Sequence, residues 1–385
     1  MSELNKTIGD LLAEIVETAK TGGPRRRIGL MARGSELGAE EMASGARLAQ
    51  LSNSGLSVVM IGPKTPGFED LEWIETEETD CEARIAEAME KALGDGRIDG
   101  AVALHYPFPM GVTTIGRVVT PGRGKDMLIA SSTGSSASQR AEAMLKNAIL
   151  GIAVARAIGK KEPRVGILNV EGAQTVYRAL SQLKDSGYPV LFGESVRKDG
   201  GAVLRGNDIL AGAVDVCVSD TLTGNVLMKL FSSFTTGGSY ESLGWGYGPS
   251  AGEGWPHVIS IISRASGAPV IANALAFTAA AVSANLPGLV AEEMRKAREA
   301  GLEAVLASLK PKAAPAADEV KAPPSEPTDE EIHGIDVLNI DDAVRELWKR
   351  GIYAESAMGC TGPVVKLASR NLERAESALK ESGYL

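Results

Sequence analysis

Residues 28–62 of the chain read IGLMARGSELGAEEMASGARLAQLSNSGLSVVMIG. The apolar runs at residues 28–31 and 57–61 have the length of buried strands, and the apolar spacing at residues 39–51 predicts a helix between them. The glycines at residues 34–38 supply the turn that follows the first strand. A strand, a helix and a second strand in this order are typical of a unit whose two strands run parallel.

The same alternation continues along most of the chain. Strands are predicted at residues 100–104, 128–130, 165–168, 190–192 and 214–218, and helices at residues 8–19, 81–93, 139–158 and 174–185. Short apolar strands that alternate with helices indicate a parallel sheet that is covered on both faces. We therefore expect an α/β fold with a mainly parallel sheet and helices on both faces.

The composition is that of a globular protein. Of the 385 residues, 44% are hydrophobic and 23% are charged, and the formal net charge is −9. These values exclude general disorder, and the missing basic surface argues against binding to nucleic acid. Three cysteines are too few for a disulfide framework, and the charged N-terminus does not have the pattern of a signal peptide. We expect a cytoplasmic protein.

One long uncharged stretch, residues 265–291, has the length of a membrane span. It contains two asparagines, two prolines and two glycines, with mostly alanine between them. Alanine contributes little free energy of insertion, and asparagine amides cost free energy in a bilayer. The stretch is therefore interpreted as a helix buried in a protein core, and no contact with a membrane is expected.

The C-terminal part of the chain changes in composition. Residues 310–330 are rich in alanine, proline, glutamate and lysine, without apolar periodicity, which predicts a flexible linker. The linker separates an α/β domain at residues 1–309 from a C-terminal unit at residues 331–385. A helix that begins after Asn339 and a last helix that begins at Pro363 predict a small, mainly helical unit.

The motif Gly359-Cys360-Thr361-Gly362-Pro363 is the most informative local feature. Proline at the first position of a helix needs no partner for its missing N–H, so Cys360 is predicted to lie just outside a helix N-terminus. Such a position stabilises a thiolate, and the N–H groups at Thr361 and Gly362 could hold the oxyanion that forms when a thioester is attacked. The alternative is a free cysteine that packs as a small apolar side chain.

The other two cysteines are predicted to be structural. Cys217 lies within an apolar strand. Cys81 follows four acidic residues within a short stretch, and neighbouring carboxylates raise the pKa of a thiol.

The three histidines give no metal site, because none has ligand spacing with another histidine or a cysteine. His105 follows a predicted strand, where α/β sheets bind ligands. His257 follows a glycine-rich segment at residues 231–256 that is either a surface loop or a cover over a substrate. Each of these two histidines has a structural and a catalytic interpretation.

Two polar turns each follow a predicted strand and precede a predicted helix. The candidate phosphate ligands of the first turn are Ser132, Thr133, Gly134 and Ser135, and those of the second are Asp220, Thr223, Gly224, Asn225 and Lys229. Hydroxyls and N–H groups at a helix N-terminus suit an anion. Lys229 is expected to balance charge during catalysis, with Asp220 as its ion-pair partner rather than as a base. ATP and dinucleotides are not expected, because the Walker pattern and a Gly-x-Gly-x-x-Gly turn after the first strand are absent from the sequence.

These motifs resemble those of the phosphate acyltransferases of phospholipid synthesis. The resemblance rests on MARGSELG at residues 31–38, on LNVEG at residues 168–172, and on DVCVSD at residues 215–220 followed by TGNVLMK at residues 223–229. It covers about residues 25–305 and implies a phosphotransacetylase-like (isocitrate-dehydrogenase-like) fold with phosphate as the acyl acceptor. The first turn lacks the aspartate of the phospholipid enzymes, which argues against a long-chain acyl substrate.

The whole chain, with its linker and its Gly-Cys-Thr-Gly-Pro motif, is similar to the alpha subunits of component C of the glycine/sarcosine/betaine reductase complex. The resemblance implies that Cys360 carries an acetyl group as a thioester and that phosphate releases it as acetyl phosphate. The implied partners are the beta subunit of component C, which is similar to ketoacyl synthase III, and the selenoprotein component A. Inorganic phosphate is the implied co-substrate, with no cofactor and no metal, and an oligomer is expected.

Three other functions remain open at this stage. An acyl-carrier-protein:phosphate acyltransferase of phospholipid synthesis would prefer long acyl chains and would need no C-terminal cysteine. A non-catalytic scaffold subunit for a thiolase-like partner would leave Cys360 inert to alkylation. A dehydrogenase on a related fold is disfavoured by the missing dinucleotide turn.

Overall fold

The computed structural model describes residues 25–77, 81–197, 200–309, 320–335, 339–359 and 362–385, together with Gly9, Leu12 and Val16. The chain divides into two compact units, Met1–Lys310 and Pro311–Leu385. Apart from the three single positions, the helix predicted at residues 8–19 lies outside the described residues. Residues 310–319 of the predicted linker also lie outside them.

The first unit alternates strands and helices from its start. Its strands are β1 Arg26–Met31, β2 Leu56–Gly62, β3 Glu72–Glu75, β4 Gly100–Ala103, β5 Val112–Val119, β6 Asp126–Ser135, β7 Arg164–Leu168, β8 Leu191–Phe192, β9 Val203–Leu204, β10 Val216–Val218, β11 Gly248–Gly252 and β12 Ile259–Ile261. Its helices are α1 Ala39–Ser52, α2 Glu82–Gly94, α3 Arg140–Ala157, α4 Ala173–Asp185, α5 Gly206–Ala211, α6 Thr221–Ser233, α7 Ala268–Ser283, α8 Leu286–Glu299 and α9 Leu302–Leu309. The strands and helices predicted between residues 28 and 218 are confirmed in type and place.

The twelve strands form one sheet in the order β3-β2-β1-β4-β12-β11-β5-β6-β10-β7-β8, with β9 paired to β7. Strands β3, β2, β1, β4 and β12 pair in parallel. Strands β6, β10, β7, β8 and β9 form a second parallel block. The pairs β12–β11, β11–β5 and β5–β6 between the blocks are antiparallel. The predicted mainly parallel α/β sheet is confirmed. Its two parallel blocks are joined by three antiparallel pairs in the middle of the sheet.

The helices lie close to each other and to the sheet because glycine stands at their contacts. A Cβ atom at Gly45 of α1 would be 2.6 Å from the Cβ of Ile271 in α7. A Cβ atom at Gly151 of α3 would be 2.6 Å from Cγ1 of Val216 in β10. Such contacts allow a core of aliphatic and small side chains to reach normal packing density with few aromatic rings.

The uncharged stretch at residues 265–291 forms α7 and the start of α8. Helix α7 buries Val270, Ile271, Leu275 and Phe277 in the core of the first unit, which confirms the predicted core helix. Among the described residues no single helix has the length and hydropathy to cross a membrane. Helices α7 and α8, bent by 61°, meet the length and composition criteria only as a pair.

The second unit contains a three-stranded antiparallel sheet and two helices. The strands are β13 Glu330–Ile332, β14 Ala354–Gly359 and β15 Gly362–Leu367, in the order β13-β15-β14, and the helices are α10 Ile340–Lys349 and α11 Leu372–Glu381. The helix predicted after Asn339 is confirmed as α10. Glu326 accepts a hydrogen bond from Nδ2 of Asn371 at 2.8 Å, and Asp329 accepts one from the N–H of Ser369 at 2.7 Å. The second unit therefore includes residues that the sequence assigned to the linker.

The prediction of a helix that begins at Pro363 is wrong. Gly362–Leu367 is the strand β15, and the last helix begins at Leu372. In the sequence, Val365, Ala375 and Leu379 fall on one apolar stripe at helical spacing, but Val365 is buried on a strand, whereas Ala375 and Leu379 are buried on a helix. Two β-branched valines in succession favour a strand over a helix end, and this signal was missed.

Candidate active site

A cavity of about 350 Å³ opens where residues from both parallel blocks of the sheet meet. It is lined by Leu104, His105, Tyr106 and Phe108 after β4, Thr133 and Gly134 of β6, Asn225 and Lys229 of α6, Tyr247, Ile261 of β12, Ile262 and Ser263. The first predicted phosphate turn is not a turn before a helix, because residues 132–135 belong to β6 and α3 begins only at Arg140. Four of the predicted ligands, Thr133, Gly134, Asn225 and Lys229, nevertheless line one cavity. We call it the acyl cavity, after the acyl transfer that the resemblance of the motifs implies.

Two of the predicted serines hold the wall of the acyl cavity together. Ser132 is fully buried, its Oγ donates to the carbonyl of Tyr247 at 2.6 Å, and it lies 2.8 Å from Oγ1 of Thr114. Ser135 donates to the carbonyl of Ala137 at 2.7 Å and does not line the cavity. In this structure both hydroxyls are engaged by the protein itself.

Thr133 and Gly134 form the part of this wall that lines the cavity. Oγ1 of Thr133 lies 2.9 Å from Oγ1 of Thr114, which fixes its place. Gly134 has a φ of +73°, and a Cβ atom there would lie 2.5 Å from the carbonyl oxygen of Val112. Only glycine fits this left-handed, closely packed position without strain.

The first turn of α6 is satisfied by its own residues. Asp220 is the N-cap, and its carboxylate accepts hydrogen bonds from the N–H of Thr223 at 3.1 Å and from Oγ1 of Thr223 at 2.6 Å. Gly224 packs so closely on β6 that a Cβ atom would lie 1.8 Å from the carbonyl oxygen of Ser131. Asp220, Thr223 and Gly224 therefore anchor the start of α6 against β6.

The expected ion pair between Asp220 and Lys229 is wrong. Nine residues separate them, which is about two and a half helical turns and roughly 13 Å along the axis, so the two side chains lie on opposite sides of α6. Asn225 and Lys229 both line the acyl cavity. Asn225 also donates through Nδ2 to the carbonyl of Ser132 at 3.1 Å and so ties α6 to the cavity wall.

Lys229 has partners that the sequence analysis did not assign. Its Nζ donates to Oγ of Ser263 at 2.9 Å and lies 3.2 Å from Oε1 of Glu241. Glu241 is 1% exposed, and its Oε1 also accepts a hydrogen bond from the hydroxyl of Tyr247 at 3.1 Å. Its Oε2 has no hydrogen-bond partner among the described residues. Burial and the Glu241 carboxylate raise the pKa of Tyr247, which keeps this hydroxyl a donor.

The Lys229 side chain is about half exposed, so its ammonium remains accessible from the cavity. Around it stand the hydroxyls of Thr133 and Ser263 and the amide of Asn225. A fixed cation with neighbouring hydroxyl and amide groups suits an oxyanion such as phosphate. Glu241 was overlooked, although an acidic residue within the nearly uncharged segment at residues 231–256 is itself a signal of a special role.

Aromatic side chains form another part of the cavity wall. Tyr106 and Phe108 line the cavity with ring centroids 4.9 Å apart, and Phe108 packs edge-on against Trp255 at 6.1 Å. Hydrogen bonds fix two of the rings, from the hydroxyl of Tyr106 to Glu90 at 2.8 Å and from Nε1 of Trp255 to Ser250 at 2.9 Å. The cavity therefore has a rigid apolar part of its wall in addition to the charged part.

The two candidate histidines differ in position. His105 is exposed and lines the acyl cavity. His257 packs against Trp255 with ring centroids 5.5 Å apart and is not among the lining residues. The segment at residues 231–256 contributes Tyr247 to the wall, and its strand β11 joins the sheet, so only part of it is a loop.

Arg264, next to Ser263, serves the framework of the site. Its guanidinium donates to both carboxylate oxygens of Glu82 at 2.7 Å and to the carbonyl of Gly34 at 3.2 Å. It therefore ties the segment after β12 to the turn after β1 and to α2. It does not line the acyl cavity.

The two described cysteines, Cys217 and Cys81, differ in burial. Burial within β10 raises the pKa of Cys217 to about 12, as expected of a structural thiol. Cys81 is exposed just before α2. Cys360 and Thr361 lie outside the described residues, and Gly362 begins β15, so the predicted helix N-terminus is not present there. The described residues hold no group of histidine, cysteine and acidic side chains that could bind a metal ion.

Comparison with known proteins identifies relatives. The family model of the fatty acid synthesis proteins matches residues 26–366. The chain is 48% identical to a glycine/sarcosine/betaine reductase complex component C subunit alpha of Peptoclostridium acidaminophilum, with 100% of each chain covered. It is 28% identical to a phosphate acyltransferase of Thermotoga petrophila over 53% of this chain and 67% of that one. A branched-chain phosphotransacylase from Enterococcus faecalis V583 superimposes with a TM-score of 0.46 at 14% identity, covering 66% of this chain and 99% of that one.

The family match extends through the first unit and into β15 of the second. The full-length identity to the component C subunit covers both units. These findings confirm the resemblance that the motifs indicated. The chain belongs to the fatty acid synthesis protein family and, within it, to the alpha subunits of component C of glycine/sarcosine/betaine reductase.

Proposed function

We propose that the chain transfers an acetyl group from a thioester to inorganic phosphate and releases acetyl phosphate. In this proposal Cys360 accepts the acetyl group, and the acyl cavity binds phosphate as co-substrate without a further cofactor. The phosphate acyltransferases among the relatives support acyl transfer as the reaction class. The full-length relative, a subunit of a reductase complex, supports the assignment to that system.

The observation that carries the proposal is the position of Lys229. Its ammonium is held by Glu241 and Ser263, and the half-exposed side chain lines a cavity together with Thr133 and Asn225. A cation held in place by a buried carboxylate is preorganised, so little reorganisation is needed when an anion enters. The aromatic part of the cavity wall offers an apolar surface for the acyl group.

The reaction asks mainly for positioning, because a thioester is already activated. A phosphate oxygen attacks the carbonyl carbon, and the carbonyl oxygen becomes an oxyanion. The oxyanion collapses, the carbon–sulfur bond breaks, and the sulfur leaves as the thiolate of Cys360. The products are acetyl phosphate and the free cysteine. Lys229 balances the charge of phosphate and of the oxyanion.

Cys360 does not need a helix for this role. The strands β14 and β15 pair so that Gly359 lies opposite Gly362, and Cys360 and Thr361 connect them in the sequence. Stabilisation of a thiolate by a helix dipole is therefore no part of the proposal. The proposed partners are the beta subunit of component C and the selenoprotein component A, and the proposed donor is an acetyl group that reaches Cys360 from them.

Isotope exchange between labelled inorganic phosphate and acetyl phosphate tests the proposal directly. Exchange requires that the acetyl group leave phosphate, stay on the protein and return to phosphate. We expect exchange with the chain together with its partner subunit, loss of exchange in Cys360→Ser, and unchanged exchange in Cys81→Ser, the matched control for an exposed thiol.

Exchange that persists in Cys360→Ser would overturn the role of this cysteine. Exchange with long-chain acyl phosphate in place of acetyl phosphate would support the phospholipid-type acyltransferase instead. No exchange with any acyl phosphate in the assembled component would support a scaffold subunit. Each alternative thus has its own result.

A further inference from the structure

A second cavity, of about 300 Å³, lies at the carboxyl ends of β7 and β9. Its polar side chains are Asn169 after β7, Gln174 and Tyr177 of α4, Ser195, Arg197, and Arg205 after β9. We call it the arginine pocket. It shares no lining residue with the acyl cavity. Crevices at the carboxyl ends of parallel strands are where open α/β sheets bind their ligands.

The described lining of the arginine pocket is rich in hydrogen-bond donors. Two guanidinium groups, two amides, a phenol and a hydroxyl line it, and none of the described lining residues carries a carboxylate. Lys198 and Asp199, which follow Arg197, lie outside the described residues. Guanidinium groups bind phosphate oxygens with paired, charge-assisted hydrogen bonds, and amides add neutral donors.

The framework of the pocket is fixed by a buried carboxylate. Asp208 is fully buried and accepts hydrogen bonds from Oγ of Ser195 at 2.9 Å, from the N–H of Val196 at 2.7 Å and from the N–H of Arg205 at 2.7 Å. These bonds tie the segment before Arg197 to the start of α5. The backbone that carries both arginines is therefore held in place without a ligand.

We propose that the arginine pocket binds a phosphate group, either as inorganic phosphate or as the phosphate of a larger molecule. Its volume equals that of about ten water molecules at roughly 30 Å³ each, which leaves room beyond a phosphate group. The strand order β6-β10-β7-β9 places it roughly 14 Å along the sheet from β6, at about 4.8 Å per strand. The pocket is thus a second phosphate site, separate from the one proposed for acyl transfer.

Calorimetric titration of the full chain at low salt tests this inference. Inorganic phosphate is one probe, and adenosine 5′-monophosphate is a second that represents phosphate esters. We expect Arg205→Met to weaken the binding of the preferred probe at the arginine pocket at least about tenfold, because a charge-assisted hydrogen bond is lost. Gln174→Ala, an exposed change on α4, is expected to weaken it less. Tighter binding of the ester than of phosphate, lost in Arg205→Met, would identify a phosphate ester as the ligand.

Arg178→Met is the matched control, because Arg178 is an exposed arginine of α4 that does not line the pocket. Lys229→Met separates the two sites, since it alters only the acyl cavity. Binding of both probes that is unchanged in Arg205→Met, or weakened equally in Arg178→Met, would overturn the inference. If the acyl cavity binds no phosphate, the wild-type chain is still expected to show one phosphate-binding site. Arg205→Met should weaken binding at that site, and Lys229→Met should leave it unchanged.

Discussion

The first turn and the middle of α6 contain polar residues of similar kind but use them differently. At the start of the helix, Asp220 and Thr223 bond to each other and Gly224 packs on the carbonyl of Ser131. Further along, Asn225 and Lys229 line the acyl cavity, and Lys229 is held by Glu241. The comparison shows that a polar turn at a helix start can serve the fold entirely, while the residues that we propose for the chemistry lie one or two turns away.

The largest effect is expected from Lys229→Met, which removes the charge but keeps the length of the side chain. Loss of one preorganised group that stabilises an oxyanion costs roughly 100-fold or more in rate. The initial rate of acetyl phosphate formation measures this effect. Lys91→Met, on the exposed face of α2, is the control. A rate close to that of wild type would show that the cation is not used.

The next effect concerns stability. A Cβ atom in Gly224→Ala would lie 1.8 Å from the carbonyl oxygen of Ser131, so α6 or β6 must shift. Overpacking of this kind costs about 1–3 kcal/mol. Chemical denaturation gives the free energy of unfolding. Gly206→Ala, at a helical glycine whose Cβ would meet nothing within 4 Å, is the control, and an equal response of both variants would argue against the close contact.

Glu241→Gln sharpens the comparison at the middle of α6, where Lys229 lies. The amide oxygen can still accept from Tyr247, but the negative charge beside Lys229 is gone. Loss of a charge-assisted contact of this kind corresponds to roughly tenfold in kcat/KM for phosphate. Because Glu241 acts through Lys229, the double variant Glu241→Gln, Lys229→Met should be no slower than Lys229→Met alone. Independent, multiplicative losses would contradict this role.

The smallest effect is expected from Asp220→Ala. Removal of an N-cap carboxylate costs about 1 kcal/mol of stability. The rate per folded molecule should fall far less than in Lys229→Met, because Asp220 bonds within its own turn. Thermal unfolding and initial rates measured on the same sample separate the two effects. A loss of rate comparable to that of Lys229→Met would show that Asp220 takes part in the reaction.

The sequence predicted the parallel blocks well because their strands are short apolar runs separated by amphipathic helices. It missed the antiparallel middle of the sheet, since β11, Gly248–Gly252, consists of small residues without an apolar pattern. At the proposed site, the composition of the polar segments pointed to Thr133, Gly134, Asn225 and Lys229, which line the acyl cavity. It could not show that Glu241 is the carboxylate beside Lys229, because that contact depends on a distant loop.

The C-terminal unit shows a second limit of sequence patterns. Val365, Ala375 and Leu379 fit one helical stripe, yet a strand holds the first and a helix holds the other two. A pattern of apolar residues alone does not distinguish a strand from a helix when the chain changes from one to the other within a few residues. Local β propensity at the two valines was the better guide.

Mass spectrometry of the assembled component after incubation with acetyl phosphate tests the central claim most directly. We expect an acetyl adduct on the peptide that contains Cys360, and its discharge by added phosphate in wild type. Lys229→Met is expected to slow both the loading and the discharge, since one cavity serves both directions of the reaction. Discharge at the same rate in wild type and Lys229→Met, or an adduct on Cys81 with none on Cys360, would contradict the account.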